Sequence, residues 1–141
     1  MLSRRWMDRV SCAQNGKDAT SICIPQYREA FMRLMSSGGM LLFSGCKWTD
    51  AEVKQLVAAL QYAHAEGATS QADCLDLNLS KLTDAALPML VEMLEAGAMP
   101  CLKKLYLGGN SGCLCGIRDA AAKEALKVAC EERGVDVIAE W

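Results

Sequence analysis

The sequence predicts an α/β fold, a short right-handed solenoid with parallel strands on its concave side and helices on its convex side. An internal repeat is the first reason: residues 40–60 align with residues 74–94 at a fixed offset of 34 and without gaps. The second reason is that each copy opens with alternating apolar residues and continues with apolar residues at helical spacing. Strand–helix units in series require parallel strands joined by crossing helices. Such units bury their apolar faces by stacking on one another.

Four apolar pairs mark the predicted strands as neighbouring rungs of one ladder. They are Leu41/Phe43, Leu75/Leu77, Leu105/Leu107 and Val135/Val137. The last two pairs each follow the previous one after 30 residues instead of 34, so the connecting loops differ in length. Residues 65–73 and 111–116 are the predicted variable loops. We expect residues 135–138 to form an edge strand.

Apolar spacing predicts a helix after each of the first three strands. Thr49 and Glu52 form a capping box for the first, which satisfies free backbone donors. Gly97 is the predicted stop of the second helix, and Gly134 that of the third, over residues 119–133. The expected buried faces are Val53, Leu56, Val57 and Leu60; Leu87, Leu90, Val91 and Leu94; and Ala122, Leu126, Ala129 and Cys130.

The amino-terminal quarter is predicted to hold an arm and a capping helix. Residues 1–24 are the predicted arm and linker, and its basic amphipathic stretch resembles an organelle transit segment. A helix over residues 25–36 begins with Pro25 in its first turn and ends at Gly38 and Gly39. Its apolar stripe is Tyr27, Ala30, Phe31, Leu34 and Met35.

Composition excludes several classes of protein. The 141 residues carry a net charge of −2 from 15 basic and 17 acidic side chains, which argues against a nucleic-acid partner. No apolar run reaches the roughly 18 residues of a membrane span, so we expect no membrane insertion. A hydrophobic content of 52% predicts one compact domain. We expect an intracellular, cytoplasmic protein, with mitochondrial or plastid import as the alternative.

Residues 101–110 read L-x-x-L-x-L-x-x-N, and residues 81–84 read K-L-T-D at a helix entry. These motifs resemble the leucine-rich repeat family, specifically its ribonuclease-inhibitor-like branch. The resemblance implies a repeat domain over residues 25–141 with an amino-terminal capping helix. It also implies a buried asparagine at Asn110, with Cys46 and Ser80 bonding backbone at the equivalent positions.

The resemblance implies a protein that binds other proteins on its concave face, without catalysis and without a cofactor. In an L-x-L strand the middle residue faces away from the helices. We expect Leu42, Asp76, Tyr106 and Asp136 to form one row, Met40, Cys74 and Lys104 a second, and Ser44, Asn78 and Gly108 a third. The candidate partner-binding residues are Leu42, Asp76, Asn78, Lys104, Tyr106 and Asp136, with Trp141 at the interface edge.

Two alternatives belong to other classes. One is a structural or accessory subunit of a larger assembly. In such a subunit the repeats would only fill space between neighbouring subunits. The other is a cysteine-based redox or metal-binding protein built on Cys101, Cys113, Cys115 and Cys130. Against the cysteine alternative, Cys74, Cys101 and Cys130 lie beside or within periodic segments and are expected to be packing residues.

Catalytic motifs are weak in this sequence. The glycine-rich residues 107–112 lack the lysine of a phosphate loop. The single histidine, His64, is expected at a helix end, where it assists the terminal carbonyls.

Overall fold

The computed structural model describes residues 19–110 and 116–140, and these form an α/β fold around a four-stranded parallel sheet. A π-helical segment, Ala19–Cys23, leads into α1. The helices are α1 (Ile24–Met35), α2 (Asp50–Ala65), α3 (Ala86–Glu95) and α4 (Ala120–Glu131). The strands are β1 (Gly38–Leu42), β2 (Gln71–Asp76), β3 (Lys104–Tyr106) and β4 (Asp136–Ile138). The predicted parallel α/β architecture is confirmed.

Strand order in the sheet follows chain order, and every neighbouring pair is parallel. Leu41, Leu75, Leu105 and Val137 lie in register. The predicted pairing of Val135 with Leu105 is therefore wrong by two residues. Val135 instead donates its N–H to the carbonyl of Cys130 at 2.9 Å, which closes the end of α4. The ladder with β3 begins one residue later, where Asp136 donates to Lys103 at 2.8 Å.

Helices α2 to α4 begin and pack largely as the apolar spacing predicts. The capping box at α2 is confirmed, since Ala51 N–H donates to the Thr49 hydroxyl and Thr49 N–H donates to Glu52. Leu56, Val91 and Ala122 are only half-buried, but they pack against the core. The buried predicted residues are Val53, Val57, Leu60, Leu87, Leu90, Leu94, Leu126, Ala129 and Cys130. These helical residues form one core with Leu75, Leu77, Leu105 and Leu107. The helices therefore cover one face of the sheet, and the other face is left open.

Helix α1 exists, and Met35 of its predicted apolar stripe packs against the core, but no residue of the helix is fully buried. None of its residues is buried, and the side chains of Tyr27 and Leu34 are 57% and 70% exposed. Phe31 meets the ring of Tyr62 of α2 at 6.2 Å between centroids. Gly38 and Gly39 do not end the helix, since both pair with β2 as part of β1. The helix ends at Met35, where the N–H of the C-cap residue Ser36 donates to the carbonyl of Met32 at 3.0 Å, and the chain enters β1 at Gly38.

Asn110 is buried as predicted, with 1% of its surface exposed. Its carboxamide donates to the carbonyls of Leu77 and Leu107 at 3.0 and 2.9 Å and accepts the N–H of Ser80 at 3.1 Å. The expectation for the two equivalent residues is wrong. Cys46 is exposed, and the buried Ser80 hydroxyl has no hydrogen-bond partner among the described residues. The Asn110 side chain already occupies the backbone groups that Ser80 was expected to use.

Candidate functional site

The sheet surface that faces away from the buried leucines is the candidate site, and we call it the open face. Its side chains alternate with the in-register core residues Leu41, Leu75, Leu105 and Val137. Three large apolar side chains on it are exposed to solvent: Met40 at 63%, Leu42 at 57% and Ile138 at 43%. Exposed aliphatic side chains grouped on one face are typical of an interaction surface.

Strand register arranges the open face in two rows. The first, which we call the tyrosine row, consists of Leu42, Asp76, Tyr106 and Ile138. The second consists of Met40, Cys74, Lys104 and Asp136. The predicted position of Asp136 in the tyrosine row is wrong, because β4 is shifted by two residues relative to the sequence alignment. Ile138 takes that position, and Asp136 lies beside Lys104.

Asp76 is the only charged residue of the tyrosine row. One oxygen of its carboxylate accepts the N–H of Asn78 at 2.9 Å, and its other oxygen has no hydrogen-bond partner among the described residues. Tyr106 is half-buried and pairs in register with Asp76 on the neighbouring strand, so the two side chains are adjacent. The row therefore combines one carboxylate, one aromatic ring and two exposed aliphatic side chains.

Asn78 makes a side-chain hydrogen bond within the fold. Its side-chain oxygen accepts the N–H of Gly108 at 2.6 Å, which ties the end of β2 to the turn after β3. A Cβ at Gly108 would lie 3.1 Å from that oxygen, so a side chain there would crowd the bond. The side-chain oxygen is thus engaged inside the fold, and the role of Asn78 as a partner contact stays a prediction.

Leu79 is an exposed residue beside the open face that the sequence interpretation missed. Its backbone has a φ of 53°, in the left-handed region that leucine rarely adopts, and its side chain is 65% exposed. Gly45 and Gly109 occupy the equivalent turns with φ of 71° each. Gly45, Leu79 and Gly109 align in the repeat. A leucine between two glycines at one aligned position was the sequence signal for a strained backbone with an exposed side chain.

The two buried thiols among the described residues, Cys74 and Cys130, are poor nucleophiles. Burial raises the pKa of Cys130 to about 11. Burial, followed by the nearby Asp76 and Asp73 carboxylates, raises the pKa of Cys74. A thiol with a raised pKa is a weaker nucleophile near neutral pH, since less thiolate is present. Over residues 19–110 and 116–140, no group of three or more His, Cys, Asp or Glu side chains could hold a metal ion.

Cys113, Cys115 and Trp141 lie outside the described residues, as does the predicted transit segment. Cys101, the fourth member of the proposed cysteine site, is half-buried and donates its thiol to the side chain of Gln71 at 3.4 Å. His64 lies in the last turn of α2, but its Nδ1 bonds the hydroxyl of Thr69 at 2.7 Å instead of a terminal carbonyl. The expected position at a helix end is confirmed, and the described ring contact is with Thr69 because the loop after α2 brings that hydroxyl to the ring.

A separate groove of about 240 Å³ lies between the end of α3 and the residues before β4. Its lining is Leu94, Gly97, Met99, Pro100, Leu102, Arg133 and Val135. Arg133 is the single ionisable side chain among these lining residues, so the groove has no acid–base pair. The open face remains the better candidate site.

No helix in the described part of the chain is both long and apolar enough to cross a membrane. A scan against protein-family models, a search of curated proteins and a search of solved structures each give no match. The assignment to the leucine-rich repeat family stays a prediction from the residues.

Proposed function

We propose that the chain is a short leucine-rich repeat array that binds a protein partner, without catalysis, through the open face of its sheet. The observation that carries this proposal is the exposure of Met40, Leu42 and Ile138 on that face. Burying aliphatic side chains against a partner removes apolar surface from water, and each such side chain contributes up to about 2 kcal/mol. Tyr106 at the centre supplies the kind of aromatic side chain that dominates many interfaces.

The strand order and three side-chain contacts support the repeat-array part of the proposal. Sheet order follows chain order, as it does when equal units stack in series. Asn110 joins two successive turns through buried hydrogen bonds. Asp50 and Asp84 occupy aligned positions and each accepts hydrogen bonds from the start of the following copy. Each contact thus links a unit to the next one.

Photo-crosslinking tests the proposal. A benzophenone amino acid at Leu42 places the reactive group on the open face, and one at Val128 serves as the matched control. Val128 is 44% exposed on α4, on the opposite side of the chain from the open face. We expect a partner adduct from position 42 that excess unlabelled protein abolishes. An Ile138→Ser substitution should reduce the yield, while Val128→Ser should not.

Equal adducts from both positions would contradict the proposal, as would an adduct from position 128 alone. A reduced adduct yield with Ile138→Ser supports the proposal only if this variant retains the circular dichroism spectrum of the parent chain. If that variant unfolds, Leu42→Ser provides an independent change on β1.

A structural subunit is the second candidate, and α1 favours it. This helix has no buried residue, and Ile22, Tyr27 and Leu34 expose from half to over two thirds of their surface. A subunit of this kind would associate when purified alone. Native mass spectrometry with Leu34→Ser distinguishes the two candidates, since only the structural candidate requires this face to mediate association.

A further inference from the structure

We propose that the tyrosine row accepts an arginine side chain of the protein partner, with its guanidinium paired to Asp76 and stacked on the ring of Tyr106. This inference rests on the proposed function, because it names the chemistry that the open face recognises. It requires Leu42, Asp76, Tyr106 and Ile138 to act together as one subsite.

The carboxylate of Asp76 provides the charge complementarity. It is the only charge in its row, and its register neighbours Leu42 and Tyr106 carry none. Lys104 lies in the other row, beside Asp136. One Asp76 oxygen is held by the N–H of Asn78, which fixes the carboxylate, and its other oxygen, which has no hydrogen-bond partner among the described residues, can accept from a ligand. A cation placed over the row therefore meets an oriented acceptor.

The aromatic ring beside this carboxylate selects the type of cation. Neighbouring strands in a sheet lie about 4.8 Å apart, so the side chains of Asp76 and Tyr106 bound one small area. A planar guanidinium can donate to a carboxylate while its face stacks on a ring within about 6 Å of the ring centre. An ammonium group has no plane to stack, so arginine fits this pair better than lysine does.

The ends of the row suit the arginine stem and its neighbours. Leu42 and Ile138 flank the pair on β1 and β4 and are 57% and 43% exposed. They offer apolar contact to the methylene groups of arginine and to aliphatic residues on either side of it. The partner segment is consequently an arginine between aliphatic side chains.

An NMR titration of the full, nitrogen-15-labelled chain tests this inference. The probe is the peptide acetyl-Leu-Arg-Leu-amide, and the matched peptides carry citrulline or lysine in place of arginine. Citrulline has nearly the same shape as arginine without its charge. We expect the arginine peptide to shift the amide signals of Asp76 and Tyr106, the citrulline peptide to shift neither, and the lysine peptide to bind at least threefold more weakly.

Two variants give the decisive comparison. Asp76→Asn keeps an oxygen for the N–H of Asn78 but removes the charge, and we expect about tenfold weaker binding of the arginine peptide. Glu124→Gln removes one negative charge from an exposed position of α4, outside the sheet, and should change the affinity less than twofold. A Tyr106→Leu variant should weaken arginine binding about threefold and abolish the preference over lysine.

Equal binding of the citrulline peptide, or equal effects of Asp76→Asn and Glu124→Gln, would overturn the arginine subsite. So would signal changes confined to residues outside the tyrosine row. The crosslinking experiment tests the proposed function independently of the arginine subsite. If the adduct at position 42 forms equally well with Asp76→Asn, binding through the open face stands and the arginine subsite does not.

Discussion

The carboxylate of Asp50 accepts hydrogen bonds from both the N–H and the hydroxyl of Thr83, at 2.9 and 2.6 Å. One copy later, Asp84 accepts the N–H groups of Arg118 and Asp119 at 2.6 and 2.8 Å. Each aspartate thus anchors the helix entry of the following copy. Asp119, the third aligned aspartate, instead caps its own helix by accepting from Ala121 and Ala122.

The Asp84 contact predicts a dependence of stability on pH. The N–H groups of Asp119 and Arg118 lower the pKa of Asp84 in the folded chain. A lowered folded pKa means that this stabilisation is complete above the unfolded pKa of about 3.9 and is lost as the pH falls through the folded pKa. The difference in unfolding free energy between the parent and Asp84→Asn should be largest near neutral pH and shrink below about pH 4.

Urea unfolding at pH 7 and pH 3 measures this difference. Asp136→Asn is the control, because no hydrogen bond to the Asp136 carboxylate is present among the described residues. A difference for Asp84→Asn that stays constant over the same pH range would contradict the prediction.

Asn110 and Ser80 should respond differently to alanine substitution. Asn110→Ala leaves three buried backbone groups without their partner, and we expect it to lower the free energy of unfolding by about 3 kcal/mol. Ser80→Ala removes a buried hydroxyl that has no partner among the described residues, so stability should stay within about 0.5 kcal/mol or rise. Chemical denaturation of both variants checks the contrast, and equal losses would refute it.

Relief of backbone strain at Leu79 should stabilise the chain. Leu79→Asn places a residue that tolerates left-handed backbone at a φ of 53°, and we expect a gain of about 0.5–1 kcal/mol. Leu42→Asn makes the same change on another exposed side chain, in a strand, and should give no gain. Thermal unfolding compares the two variants. A loss of stability in Leu79→Asn would show that the leucine side chain contributes more than the strain costs.

The capping box of α2 should behave as one unit. Thr49→Ala should cost about 1 kcal/mol, because the hydroxyl that accepts from Ala51 and donates to Glu52 is lost. The double variant with Glu52→Ala should cost less than the sum of the two single changes, since both break the same pair. Gln55→Ala, at an exposed position of the same helix, is the reference for a change outside the box. Additive losses would contradict this account.

Local sequence patterns predicted helices and strands accurately where a pattern was compatible with only one structure. The apolar spacing of Val53, Val57 and Leu60 has the period of a helix, and the Thr49–Glu52 box fixes where it begins. The sequence determined the register of β4 less well. Val135 and Val137 are chemically identical and two residues apart, so either one satisfies the alternation.

The candidate site was predictable in its residue types and not in its arrangement. Alternation along β2 and β3 places Asp76 and Tyr106 on one face from sequence alone. The shift of β4, which exchanges Asp136 for Ile138 in their row, depends on how the end of α4 closes. The engagement of Asn78 by Gly108 depends on a contact between residues 30 positions apart.

By itself, the sequence determined which residues of β1 to β3 and of α2 to α4 turn inward, because periodicity and capping are short-range properties encoded within each strand or helix. Only the tertiary structure decided which side chains stand next to each other across strands and which helix face stays uncovered. Those outcomes depend on loop closure and on packing between distant segments, where the free energies of many contacts are summed and no local pattern records the result.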